Sequence, residues 1–258
     1  MSTLTTGRVA ATTDAAGIAT ISFYHPAHNS LPSALLRQLA STITAIGQAA
    51  TTRVIILRSE GERTFCAGAS FDELLAIEDE AQGQAFFSGF AQVINACRTC
   101  PKIIIGRVQG KAIGGGVGVA AATDYCLATE QAAVKLSELV VGIGPFVVGP
   151  VVERKIGRAA YAQLALDASE FRPAAWAEAQ GLYAQCLASI TELDAAVQAL
   201  ATRLASYNPA ALAALKQVLW EGTAHWDGLL AERAAVSGRL VLSEFTRQAI
   251  QEFKSAAR

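Results

Sequence analysis

The sequence predicts an α/β fold with a parallel sheet. Apolar runs of strand length alternate with segments of helical periodicity over the first 145 residues, and after that helical patterns prevail. Two of the runs, VIILRS at 54–59 and KIIIGRVQG at 102–110, lack the polar alternation of a half-solvated strand. A continuous apolar strand is one buried on both faces. Strands separated by helices pair in parallel, with the helices covering the sheet.

The elements follow in order. GRVAATTDAAGIATISFYHP reads as two strands around the turn DAAG. Ser30 and Pro32 open a helix whose Leu35, Leu36, Leu39, Ile43 and Ile46 recur at helical spacing. VIILRS is the next strand, and GERTFCAGAS follows it as a loop. Phe86, Phe87, Phe90, Val93, Ile94 and Cys97 stripe a second helix. KIIIGRVQG leads into a glycine-rich turn and a helix through AAATD. YCLAT and AAVKLSE read as two more strands, the second ending on Glu138. Beyond about residue 145, ALDA, PAAWAEAQ, ELDAAVQALATRLA, PAALAALKQVLWEG and a last run over 227–256 read as helices. YAQCLAS is the one late strand.

Composition excludes several function classes. A net charge of −1 provides no global field for nucleic acid or an anionic membrane. No apolar run reaches the roughly 18 residues of a membrane span, and the start MSTLTTGRVAATTD lacks the pattern of a signal peptide, so a cytoplasmic protein is expected. With 52% hydrophobic and 17% charged residues, apolar surface is left to cover and self-association is expected. The five cysteines (Cys66, Cys97, Cys100, Cys126, Cys186) suggest no disulfide framework. Cys97-Arg-Thr-Cys100 lies at a helix C-terminus, whereas a redox pair wants its first thiol at an N-terminus. No second Cys/His pair completes a zinc site, so no metal is expected.

The stretch QGKAIGGGVGVAAATDY (109–125) has two readings. A dinucleotide turn would need G-x-G-x-x-G, but starting at Gly114 the third glycine falls on Val119, and starts at Gly110 or Gly115 fail as well. The other reading is an oxyanion hole: backbone N–H groups stabilise developing negative charge, and glycine lets an acyl group approach them. A second donor is needed, and TFCAGAS offers another turn of small residues after a buried strand.

Four segments in this order, HPAHNSL, FCAGASFDEL, CPKIIIGRVQGKAIGGGVGVAAATDYCLAT and VKLSELVVGIGP, resemble the crotonase superfamily, the enoyl-CoA hydratases and isomerases. The resemblance covers nearly the whole chain. It implies a spiral of ββα units over 1–199 and a C-terminal helical trimerisation region over 200–258, with assembly as a homotrimer or a dimer of trimers. It implies an acyl-CoA substrate, coenzyme A entering only as part of that substrate, and no other cofactor. The family's two oxyanion donors fall on Ala69 and Gly115. Ala67, Ala69, Ser70, Phe71 and Asp72, with Gly114, Gly115, Gly116 and Gly118, would line the CoA thioester. The family's hydratases use two glutamates. One position is Gly118 here, so that carboxylate is absent; the other is Glu138.

Taken alone, Glu138 reads as a solvated carboxylate at a strand end. In the resemblance it is the single acid/base, with its pKa raised by an apolar pocket. One carboxylate can carry a proton from C2 to C4, as a Δ3,Δ2-enoyl-CoA isomerase requires. It can also serve hydration if other groups hold the water. Decarboxylation, or acyl-CoA binding without catalysis, are the alternatives. His25 and His28 could contact CoA or be solvated, and His225 beside Trp226 reads as a packing residue. Asp72 or Glu73 could stand in for the lost acid. Asp124 would fix backbone, and Lys135 has no assignment.

Overall fold

The structure is a computed structural model describing residues 7–256. Strands β1 (Arg8–Thr13) and β2 (Ile18–Tyr24) form an antiparallel hairpin. Its turn is set by Asp14, whose Oδ1 accepts from the N–H of Ala16 and of Ile18 at 2.9 Å each, and by Gly17 at φ 79°. The remaining elements are α1 (Ser33–Gln48), β3 (Val54–Ser59), β4 (Thr64–Cys66), α2 (Phe71–Leu75), α3 (Glu80–Thr99), β5 (Ile103–Val108), β6 (Lys111–Ile113), α4 (Gly115–Ala121), β7 (Tyr125–Thr129) and β8 (Val134–Lys135). A 3-10 turn (Glu138–Val141) then leads to α5 (Gly149–Leu166), α6 (Ala174–Ala179), β9 (Gln185–Leu187), α7 (Ile190–Ser206), α8 (Pro209–Leu219), α9 (Trp226–Leu240) and α10 (Glu244–Ala256).

Two sheets result. The larger has the order β1-β2-β3-β5-β7-β9, parallel from β2 onward; the smaller is parallel with the order β4-β6-β8. Each turn of the chain adds a strand to the large sheet, then a short strand to the small one, then a helix: β3-β4-α3, β5-β6-α4 and β7-β8-α5. This is the ββα spiral.

The continuous apolar runs are buried on both faces. Ile55, Leu57 and Ile104 pack into the main core with α1 and α3. Val54, Ile56, Ile103 and Ile105 pack on Leu193, Val197 and Ala201 of α7. The C-terminal helices return onto this core. Helices α3 and α9 cross at backbone contact, since a Cβ on Gly83 would lie 2.7 Å from the Gly238 Cα. Buried Lys216 of α8 reaches Asp124, whose carboxylate also accepts from Trp220 Nε1 and the Ile104 N–H, as expected of a residue that fixes backbone.

Several expectations need correction. Glu138 opens a 3-10 turn instead of ending a strand, because β8 stops at Lys135. The run 227–256 is two helices separated by Val241–Ser243. Helix α5 is far longer than ALDA; Gly157, at φ 77° within it, breaks the helical φ/ψ and splits the periodicity that would have revealed it. His225 is exposed at the start of α9 and packs no core; Trp226 takes that role. The thiols of Cys97 and Cys126 are buried and pushed up to about 12, chiefly by desolvation, which leaves them inert.

Candidate active site

The site lies where the three strands of the small sheet end. Strand β4 runs into Ala67–Ser70, β6 into Gly114–Gly115 and β8 into Ser137–Glu138, and all three ends line one cavity of about 720 Å³. Parallel pairing places their C-terminal ends side by side. The preceding loop is tied to β4 by Asn29, whose Nδ2 donates to the carbonyls of Glu60 (2.8 Å) and Thr64 (2.9 Å) while its Oδ1 accepts from the His25 N–H.

Among the described residues, neither Ala69 nor Gly115 donates its backbone N–H in the hydrogen bonds of the turns and loops. The Gly68 carbonyl accepts from the Leu31 N–H at 2.8 Å. In a planar trans peptide the C=O and N–H point in opposite directions, so the Ala69 N–H points away from Leu31. The Gly114 carbonyl accepts from Val117 within α4 at 2.9 Å, so the Gly115 N–H points back out of the helix, where it has no intrahelical partner. A Cβ on Gly68 would lie 2.8 Å from the Ile113 carbonyl and 3.3 Å from the Gly115 nitrogen. Glycine at φ 86° is what lets the two turns meet.

Glu138 stands beside them. A Cβ on Gly114 would lie 3.0 Å from its Oε1. The residue as a whole is half-buried, but the carboxylate points inward: Oε2 is shut off from solvent and has no hydrogen-bond partner. Burial pushes its pKa from 4.5 up to about 7, with a hydrogen bond from its own backbone pulling the other way. A carboxyl group with this pKa exchanges protons readily at neutral pH.

Ala67, Ala69, Ser70, Phe71, Asp72, Gly114 and Gly115 line the cavity. Gly116 and Gly118 do not, which corrects the expectation for both. A Cβ on Gly116 would meet the Cys66 carbonyl at 2.5 Å, so this glycine serves the contact between α4 and β4. A Cβ on Gly118 would meet Val148 Cγ1 at 2.4 Å. Val148 lines the cavity itself and fills the space next to position 118. Gly115 also answers a packing need, because a Cβ there would lie 2.1 Å from Phe90 Cε1.

Glu73 cannot replace the missing acid: it accepts from the Ser33 N–H (2.8 Å) and hydroxyl (2.6 Å) at the start of α1. His25 and His28 both line the cavity. Burial lowers the His25 pKa, and its Nδ1 accepts from the Ala27 N–H at 3.3 Å, which fits a neutral ring. Sequence reasoning missed Phe87, Phe90, Phe146, Val148, Phe171 and Ser237 as cavity residues. The phenylalanines of α3 were legible only as a helix stripe, and nothing local marks Ser237 of α9. Among the described residues, no cluster of three metal-ligating side chains occurs and no helix is long and apolar enough to cross a membrane.

The sequence model of the family described as enoyl-CoA hydratase/isomerase matches residues 13–253. The chain is 29% identical over 240 residues to the "Probable enoyl-CoA hydratase" of Bacillus subtilis (strain 168), covering 92% of each protein. It is 32% identical over 203 residues to the mitochondrial methylglutaconyl-CoA hydratase of Rattus norvegicus, covering 75% of this chain and 62% of that protein. The crystal structure of enoyl-CoA hydratase from Bacillus halodurans superposes with a TM-score of 0.87 at 21% identity, covering 95% of this chain and 99% of the other; this likeness shows the fold.

Proposed function

We propose that this chain, which belongs to the enoyl-CoA hydratase/isomerase family of the crotonase superfamily, moves a proton within an unsaturated acyl-CoA thioester, using Glu138 as its one acid/base. The thioester oxygen accepts from the N–H groups of Ala69 and Gly115. Glu138 takes a proton from C2 of a 3-enoyl-CoA. The electron pair delocalises onto the thioester oxygen and the C3–C4 double bond, and the two N–H donors stabilise this dienolate. Glu138 then returns the proton at C4, leaving the double bond between C2 and C3. Atoms and charge balance with no further reactant, and coenzyme A enters only as part of the substrate.

One observation carries this reading: the Glu138 carboxylate, its Oε2 buried and without a partner, lies against Gly114, while Val148 and not a second carboxylate adjoins position 118. Hydration of a 2-enoyl-CoA is the second reading. It is favoured by the names of the relatives in Bacillus subtilis and Rattus norvegicus. Exposed Leu215, Val218 and Leu219 on α8 support assembly into a trimer or a dimer of trimers.

The test is a panel of 2-enoyl-, 3-enoyl- and malonyl-type CoA thioesters, with products identified by chromatography and mass. Conversion of the 3-enoyl substrate is expected, and Glu138→Gln should slow it by roughly 10² to 10⁴ while thioester binding persists. Water addition as the dominant outcome would establish the second reading. Loss of carbon dioxide from the malonyl type, with no slowing in Glu138→Gln, would overturn both.

A further inference from the structure

We propose that Lys111, Lys135 and Phe171 form a subsite for an anionic group of the substrate; this rests on the reading of the cavity as an acyl-CoA site. On the small sheet Thr64 pairs with Lys111 and Ile113 pairs with Lys135. Paired residues share a face and successive residues alternate. Ala112 and Val134 are fully buried in the core, so Lys111, Ile113 and Lys135 occupy the opposite face, and all three line the cavity.

Both ammonium groups approach one ring. Lys111 Nζ is 4.9 Å and Lys135 Nζ 5.0 Å from the centre of Phe171. The two charges are therefore no more than about 10 Å apart, about one screening length in 0.1 M salt. Among the described residues neither lysine has a carboxylate within ion-pair distance. Lys135 donates to the Ser169 carbonyl at 2.9 Å. The ring face attracts each cation but leaves their mutual repulsion uncompensated. An oxyanion between them removes that repulsion and accepts charge-assisted hydrogen bonds from both. Phe87, Phe90, Val141, Phe146 and Val148 give the same cavity an apolar stretch of wall that suits hydrocarbon, while Arg63, His25 and His28 also line it. The anion is either a phosphate of the coenzyme A nucleotide or a carboxylate at the far end of the acyl group.

The experiment titrates wild type, Lys111→Met, Lys135→Met and the double variant by calorimetry; methionine keeps most of the apolar stem. The probes are butyryl-CoA, glutaryl-CoA and the butyryl thioester of pantetheine, which lacks the nucleotide. The double variant is expected to weaken binding by about tenfold or more. Weakening of both CoA thioesters, with the pantetheine thioester unchanged, identifies the nucleotide phosphate. Weakening of glutaryl-CoA alone identifies the acyl carboxylate. Unchanged affinity for all three probes in the double variant overturns the subsite while leaving the acyl-CoA reading intact. A wild type that binds none of them overturns that reading, and the subsite with it.

Discussion

Replacing Glu138 with glutamine should make the protein more stable above neutral pH even as it removes the proposed base. The carboxyl titrates at 4.5 when unfolded and at about 7 in the fold, because burial disfavours its charged form. At about 1.4 kcal/mol per pKa unit, the cost of that buried charge is roughly 3 kcal/mol. Between pH 4.5 and about 7 the native state keeps a proton that the unfolded chain has released. Stability therefore falls as pH rises through this window and levels off above it. Glutamine carries no charge and escapes the loss. Relative to wild type, the variant should gain roughly 3 kcal/mol between about pH 4.5 and pH 8, and any constant cost of burying the amide cancels in this difference. Urea unfolding of both proteins at several pH values across the window measures it by linear extrapolation. A stability difference that stays flat with pH would refute the buried, unpaired carboxylate and, with it, the proton-transfer role. The same titration should govern the rate: as the ionised form accumulates, turnover should rise with pH to a midpoint near 7.

Two further expectations concern packing. Gly118→Ala drives a Cβ to 2.4 Å from Val148 Cγ1, so it should cost about 1–3 kcal/mol in denaturant unfolding, and adding Val148→Ala should recover much of that; an alanine variant as stable as wild type would contradict the contact. Lys216→Met removes the cation paired with Asp124 at a site where the side chains of Lys216 and Asp124 are only 3% and 2% exposed. It should cost about 3–5 kcal/mol, partly restored by Asp124→Asn; an unchanged unfolding midpoint would show that the pair does not anchor α8.

The parallel sheet and the order of the segments that build the cavity were legible in the sequence. VIILRS and KIIIGRVQG announce strands buried twice over, because hydrophobic runs are local records of burial. The glycine-rich turn and the CAGAS turn could be singled out for the same reason: small residues mark where backbone must come close. Strands of two or three residues such as β4, β6 and β8 are too short to carry a pattern, and only their pairing with one another makes them a sheet. Glycine has no side chain to record which way it faces. Only the packed structure shows that the missing side chain of residue 116 would meet Cys66, that of residue 115 Phe90 and that of residue 118 Val148, so that two of four candidate glycines leave the cavity lining. Carboxylates follow the same division. Glu73 and Glu138 are alike as residues, but one is held by Ser33 of α1 and the other keeps a buried Oε2 without a partner beside Gly114. Chemistry of this kind depends on solvent exclusion and on neighbours remote in the chain. The sequence determined which groups were available, and the tertiary structure decided which of them lost their water.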